Sequence, residues 1–198
     1  ESNADEYEFI LRETRTYDII RDVINMRSEI GVLYLSDFNE KVISKLLKEN
    51  RLEFHPLFEA APHVFVSASN PLSAKRSVTL EDLEGLPCLS FEQGEFNSFY
   101  FSEEILSTIY HKKSIHVSDR ATLFNLLIGL NGYTICTGVL SADLNGENIV
   151  SVPLVTASEE KMVIGWIINS KAILSNAAEN YIGHLKKLIR NYGFEIAE

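Results

Sequence analysis

The stretch "SNPLSAKRSVTLEDLEGLPCLSF", residues 69–91, starts as a polar loop and ends as an apolar strand. Thr79 caps one short helical turn over Leu80-Glu81-Asp82, and Pro87 stops it. Cys88 to Phe91 then opens a new apolar run. A polar, basic passage between two apolar regions reads as the chain leaving one lobe and entering another.

Outward from this stretch, strands and helices alternate. Upstream, Tyr7 to Leu11 reads as a strand. Thr16 stands where a helix N-cap belongs, with Asp18 in the first turn and Ile19, Ile20, Val23 and Ile24 at helical spacing. "IGVLYL", residues 30–35, is a continuous apolar run, as in a strand covered on both faces. Asp37 with Glu40 resembles a capping box before the stripe of Val42, Ile43, Leu46 and Leu47. Strands follow at Leu52 to Phe58 and Val64 to Ser67.

Beyond the stretch, the spacing predicts a helix from Phe99 to Tyr110 and a strand from Ile115 to Val117. A helix over 119–128 and a strand from Tyr133 to Thr137 follow. Further strands are expected at Ile149 to Leu154 and Met162 to Ile168. A last helix, capped by Asn176, ends at Gly193, where a left-handed residue is wanted. This pattern is α/β with mostly parallel sheets. Two alternating blocks joined by an extended crossover suggest two lobes.

Composition narrows the function. The 198 residues carry 28 acidic and 18 basic side chains, a net charge of −10. A chain that grips phosphate backbones needs excess Lys and Arg, so this one should repel nucleic acid. No apolar run approaches the roughly 20 residues of a membrane span, which points to a cytoplasmic protein with no membrane partner. The two cysteines, Cys88 and Cys136, sit in apolar runs and read as buried reduced thiols.

The quoted stretch resembles the LysR-type transcriptional regulators. Their effector-binding domain has His-Pro-Leu-Ala, then Val-Ser-Leu-x-Asp-Leu, then Pro and an apolar strand. Here Asn70 replaces the His and Ser73 the Ala, while Pro71, Leu72, Val78, Leu80, Asp82, Leu83 and Pro87 fall in place. "LLIGLNGYTICTG" resembles the family's Val-x-x-Gly-x-Gly segment, with Gly138 where the family has Pro. "RSEIGVLYL", "IVSVPL" and "LSNAAENYIGHLKKL" match further segments in order.

The resemblance implies two Rossmann-like lobes joined by two crossovers, a periplasmic-binding-protein-like fold of type 2, with lobe one at residues 1–86 and 161–198 and lobe two at 87–160. It implies an effector-sensing regulatory domain with a small polar molecule in the interlobe cleft, and a homodimer, with a tetramer open to the full-length regulator. The family's winged helix-turn-helix is not matched here, so DNA is expected only through that separate domain. The family's opening strand and helix, ahead of "YEFIL", are not matched either.

No chemistry for catalysis is legible. His111 and His116 straddle a helix end, and the other histidines are scattered, so no metal site is expected. There is no Gly-x-Ser-x-Gly motif and no phosphate loop, and no cofactor is implied. The candidate effector residues are polar groups at strand ends that feed helix N-termini. They are Thr16, Ser36, Glu92, Gln93, Ser118, Asp119, Arg120 and Thr137, with Phe91 and Tyr34 as apolar walls. Each alone also suits a cap or turn. Arg15, Arg120 and the helix N-termini favour an anion, while Glu92 and Asp119 favour a cationic group. A transport receptor or an enzyme on the same fold is the alternative, and neither a lipoprotein signal nor an acid–base set is visible.

Overall fold

The computed structural model describes residues 8–96, 98–141 and 146–197. Its strands are β1 (Gly31–Leu35), β2 (Leu52–Ala60), β3 (His63–Ser67), β4 (Cys88–Phe91), β5 (Ser114–Val117), β6 (Tyr133–Cys136), β7 (Ile149–Pro153) and β8 (Met162–Asn169). Its α-helices, among the described residues, are α1 (Thr16–Ile24), α2 (Glu40–Glu49), α3 (Arg120–Gly129) and α4 (Asn176–Asn191). The strands form two sheets, ordered β1-β8-β2 and β5-β4-β6-β3-β7.

The expectation of mostly parallel sheets is corrected by the ladders. β8 runs antiparallel to both its neighbours, and β3 runs antiparallel to β6 and β7. The parallel pairs are β4 with β5 and β4 with β6. Parallel neighbours need a crossover that returns the chain. β3 and β8 instead arrive directly from the other sheet, and each runs against the strands it joins.

Because β3 belongs to the five-stranded sheet, the first crossing falls at Ala61-Pro62 rather than in residues 69–86. The second lies between Pro153 and Met162. The quoted stretch lies along lobe two. Asn70 Oδ1 accepts the Leu72 N–H at 2.9 Å and starts a 3-10 turn, Pro71–Ala74. Val78, 1% exposed, bridges to Leu154, and its N–H donates to Pro153 O. Asp82 accepts the Thr79 N–H and pairs with Lys75. Its basic polarity therefore marks an outer strap, with Val78 and Leu83 pointing inward.

Three apolar clusters hold the molecule. In lobe one, Ile20 and Val23 of α1 and Ile43 and Leu47 of α2 pack on Leu33, Leu35, Leu52 and Ile167. In lobe two, Leu123 and Leu127 of α3 pack on Phe65, Leu89, Val117 and Ile149. The third spans the crossings, joining Leu57, Phe58 and Met162 to Val64, Val66, Ile135 and Leu154, with Ile189 of α4 against them. This cluster, shared by residues that flank each crossing, ties the lobes at one end.

Several local expectations change. Tyr7 lies outside the described residues, and residues 8–11 form no strand, with Ile10 and Leu11 exposed. Among the described residues β1 is an edge strand paired with β8 alone, so no ladder is extended to residues 8–11. Asn39, not Asp37, holds the N-cap position of α2, without a side-chain bond to the helix, and its Oδ1 accepts the Ser36 N–H at 2.7 Å. Ser175 rather than Asn176 caps α4, accepting the Ala178 N–H. The helix expected over 99–110 is a 3-10 turn, Phe99–Phe101, followed by irregular chain. There Ser102 Oγ donates to Glu104 Oε2 and accepts the Glu104 N–H, a local loop of bonds that competes with helix.

Candidate functional site

The N-terminal turn of α1 is the place where lobe one meets the strand-end loops of lobe two. Arg15, the residue before α1, pairs with Glu92 Oε1, and its Nε donates to Glu92 O at 3.2 Å. Glu92 Oε2 in turn accepts the Gly94 N–H at 2.9 Å. Gly94 has a φ of +62°, and a Cβ there would meet Arg15 Nη1 at 2.7 Å, so glycine admits both the turn and the guanidinium.

Thr16, expected as the cap, is the first helical residue, and its backbone N–H is one of the donors a helix leaves unpaired. It donates to Glu103 Oε1 at 3.2 Å. The other oxygen, Glu103 Oε2, accepts from Gln93 Nε2 at 2.7 Å. Gln93 is 9% exposed, and its Oε1 has no hydrogen-bond partner. Next to it, Glu104 Oε1 accepts the Phe91 N–H at 2.8 Å. Burial raises Glu103 above the usual carboxylate range, and burial with the nearby Glu103 charge raises Glu104 to about 7. Tyr34, on β1 of lobe one, is raised by burial and by the charges of these two carboxylates.

Aromatic rings close the same junction. Tyr17 stacks on Phe96 with centroids 3.7 Å apart and meets Phe101 edge-on at 5.3 Å. Phe38 stacks on Tyr100 at 4.8 Å. A cavity of about 540 Å³ opens beside this strap, within lobe two, lined by Ser90, Phe91, Glu92, Glu104, His111 and His116.

The structure brings together Thr16, Phe91, Glu92 and Gln93. The other expected residues stand apart from that contact. Asp119 caps α3, with both carboxylate oxygens on Thr122, and Ser118 is exposed beside it. Arg120 is exposed and pairs with Glu13 at 2.8 Å, ahead of α1. Ser36 is buried and its N–H is taken by Asn39, and Thr137 Oγ1 accepts the Val139 N–H. Burial holds the Cys88 thiol up at about 11 and the Cys136 thiol at about 12, so neither is a ready thiolate.

A family model, the LysR substrate binding domain, matches residues 3–190. The chain belongs to the LysR substrate-binding domain family. It is 25% identical over 160 residues to the malolactic fermentation system transcriptional activator of Lactococcus lactis, covering 76% of this chain and 54% of that protein. The chain thus spans about half the length of that curated relative. Among solved structures it is similar to HinK, a LysR family transcriptional regulator from Pseudomonas aeruginosa. The TM-score is 0.60 at 13% identity, over 89% of this chain and 58% of that one. It is also similar to the effector-binding domain of QuiR in complex with shikimate. Here the TM-score is 0.55 at 17% identity, over 90% of this chain and 78% of that one. At these identities the structures show a common fold.

For a LysR substrate-binding domain, Glu103 and Glu104 are the residues that sequence reasoning missed. They fall inside the helix expected from Phe99 to Tyr110. The available signal was two adjacent carboxylates inside the aromatic run "FYFSEEIL", where a charge has few routes to solvent.

Proposed function

We propose that this LysR substrate-binding domain senses a small, carboxylate-bearing polar molecule at the lobe junction, and that a regulator containing it uses that binding to control transcription. The observation that carries this reading is the α1 N-terminus, with Arg15 beside it, facing the Glu92-Gln93-Gly94 loop. A helix start offers free N–H groups and a partial positive charge, and a guanidinium adds a forked donor. Gln93 and Thr16 orient the molecule, and Phe91 and Tyr34 wall it. The family consists of regulators rather than enzymes.

A thermal-shift screen of small organic acids, followed by calorimetric titration of the best binder, tests this. Arg15→Ala is expected to remove a charge-assisted contact, about 1.5–3 kcal/mol, or roughly ten- to hundredfold in affinity. Unchanged affinity in the folded variant removes Arg15 from the site, and an empty screen counts against the reading.

DNA contact belongs to a separate domain under this proposal. With a net charge of −10, the chain alone is expected to give no sequence-specific gel shift on promoter fragments at moderate salt. A sharp, competitor-resistant shift contradicts it.

We also propose a homodimer, with a tetramer for a full-length regulator, and a cytoplasmic setting. Among the described residues no helix is long and apolar enough to cross a membrane. Met26, just past α1, and Ile128 and Leu130, at the end of α3, are exposed apolar side chains that such pairing would cover. Sedimentation over a concentration series is expected to show reversible dimers, and a strict monomer at high concentration opposes the pairing.

A further inference from the structure

The lobe junction expected to be an open cleft is occupied by the chain itself. Residues 98–104 leave lobe two as a strap and lay Tyr100 on Phe38 and Phe101 against Tyr17. The strap delivers Glu103 to the first N–H of α1 and to Gln93. Glu92 delivers a second carboxylate to Arg15, one residue before that N–H. Two internal carboxylates therefore sit on two adjacent anion donors of lobe one.

We propose that Glu103 is a built-in occupant of the α1 N-terminus, an autoinhibitory plug that a carboxylate effector displaces. This rests on the functional reading above for the effector, but the plug itself rests on contacts within the chain. Gln93 supplies an independent mark of a ligand site: it is 9% exposed, aimed at Glu103, and left with an unpaired Oε1. An internal carboxylate can serve only one of its amide's two faces, whereas a ligand bearing a hydroxyl or ammonium group beside its carboxylate serves both.

The plug is built to come out. Its aromatic anchors remain partly exposed even when docked: Phe38 is 44% exposed and Tyr100 38%. The strap has no regular helix to hold it, and Leu106 beyond it sits at a φ of +64°, uncommon for a branched side chain. Glu103 is also held among groups that oppose its charge as well as favour it. Burial opposes it, Glu104 lies beside it, and Glu92 and Asp18 share Arg15, the cation that favours it. A tethered carboxylate competes at an effective concentration on the order of millimolar, which a metabolite can match.

Hydrogen–deuterium exchange on the full chain tests the plug without any ligand. In Glu103→Ala, the Thr16 amide and residues 98–104 are expected to exchange about tenfold faster or more, while β2 and β8 keep their protection. Glu103→Gln retains an acceptor without the charge and is expected to fall between. Parent-like exchange at Thr16 and the strap in both variants overturns the plug. If Glu103→Ala loses β2 and β8 protection, it has unfolded, and Glu103→Gln alone decides on the same criterion.

Succinate, with acetate as the monocarboxylate, probes displacement. In the parent, succinate is expected to protect Thr16 while speeding exchange in the strap, and to bind Glu103→Ala about tenfold more tightly. Protection of Thr16 and the strap together means binding with the plug in place and overturns displacement. Loss of strap protection in Glu103→Ala, with neither acid binding any form, upholds the plug and overturns the carboxylate reading of the effector.

Discussion

Glu104→Gln is expected to make the folded chain more stable at pH 8 and to leave it almost unchanged near pH 5. Glu104 is 7% exposed, and burial with the nearby Glu103 charge raises its folded pKa from 4.5 to about 7. A raised folded pKa means the folded state holds the proton more tightly than the unfolded state. The resulting stability is fully present below the unfolded value and is lost as pH rises through about 7. At pH 8 the folded chain therefore carries a buried charge that costs about 3 kcal/mol. Glutamine is neutral at every pH and keeps an oxygen for the Phe91 N–H, with an amide facing Ser102. Urea unfolding of parent and variant at pH 5 and pH 8 measures the difference, and other titrations common to both cancel. A variant that is no more stable at pH 8 than at pH 5, relative to the parent, contradicts the assignment.

The second large effect is expected in lobe one. Gly165→Val should destabilise the fold by about 3 kcal/mol, with Gly165→Ala costing less. Gly165 sits in the middle of β8, opposite Leu33 on one side and Pro56 on the other. A Cβ there would meet the Phe54 ring and the His55 backbone oxygen, the latter at 2.6 Å. A ring can turn aside, but a carbonyl in the ladder cannot move without shifting β2. The next residue, Trp166, is the only tryptophan and stacks on His55 at 4.2 Å, so its emission reports the same ladder. A denaturation midpoint equal to the parent's in Gly165→Val shows that the sheet has room that the geometry denies.

The two missed carboxylates show how far local reading reaches. "SEEILSTIY" has the composition of an amphipathic helix, and nothing within it reveals the competing partners. Those partners are the Thr16 N–H, 87 residues away, and the Phe91 N–H at the end of β4. The opposite case is the start of α3, where a cap is local and legible at Ser118 or Asp119, and Asp119 supplies it. Arg120, expected as an effector contact, pairs with Glu13 across 107 residues, a distance no motif spans.

What the sequence determined by itself is what short-range physics controls. Periodicity placed α1 to α4 and the eight strands to within a few residues, because burial of alternate or helical faces is written into neighbouring side chains. The ordered motifs of residues 30–35, 69–91 and 126–138 were enough to identify the two-lobed family fold. The tertiary structure alone decided the rest. It moved β3 into the second sheet, because Val64 and Val66 are 0% exposed only when packed in the cluster with Ile135 and Val152. It also filled the junction with Glu103 rather than leaving it open. A helix N-terminus attracts whichever carboxylate the fold brings within reach, and sequence spacing does not say which one arrives.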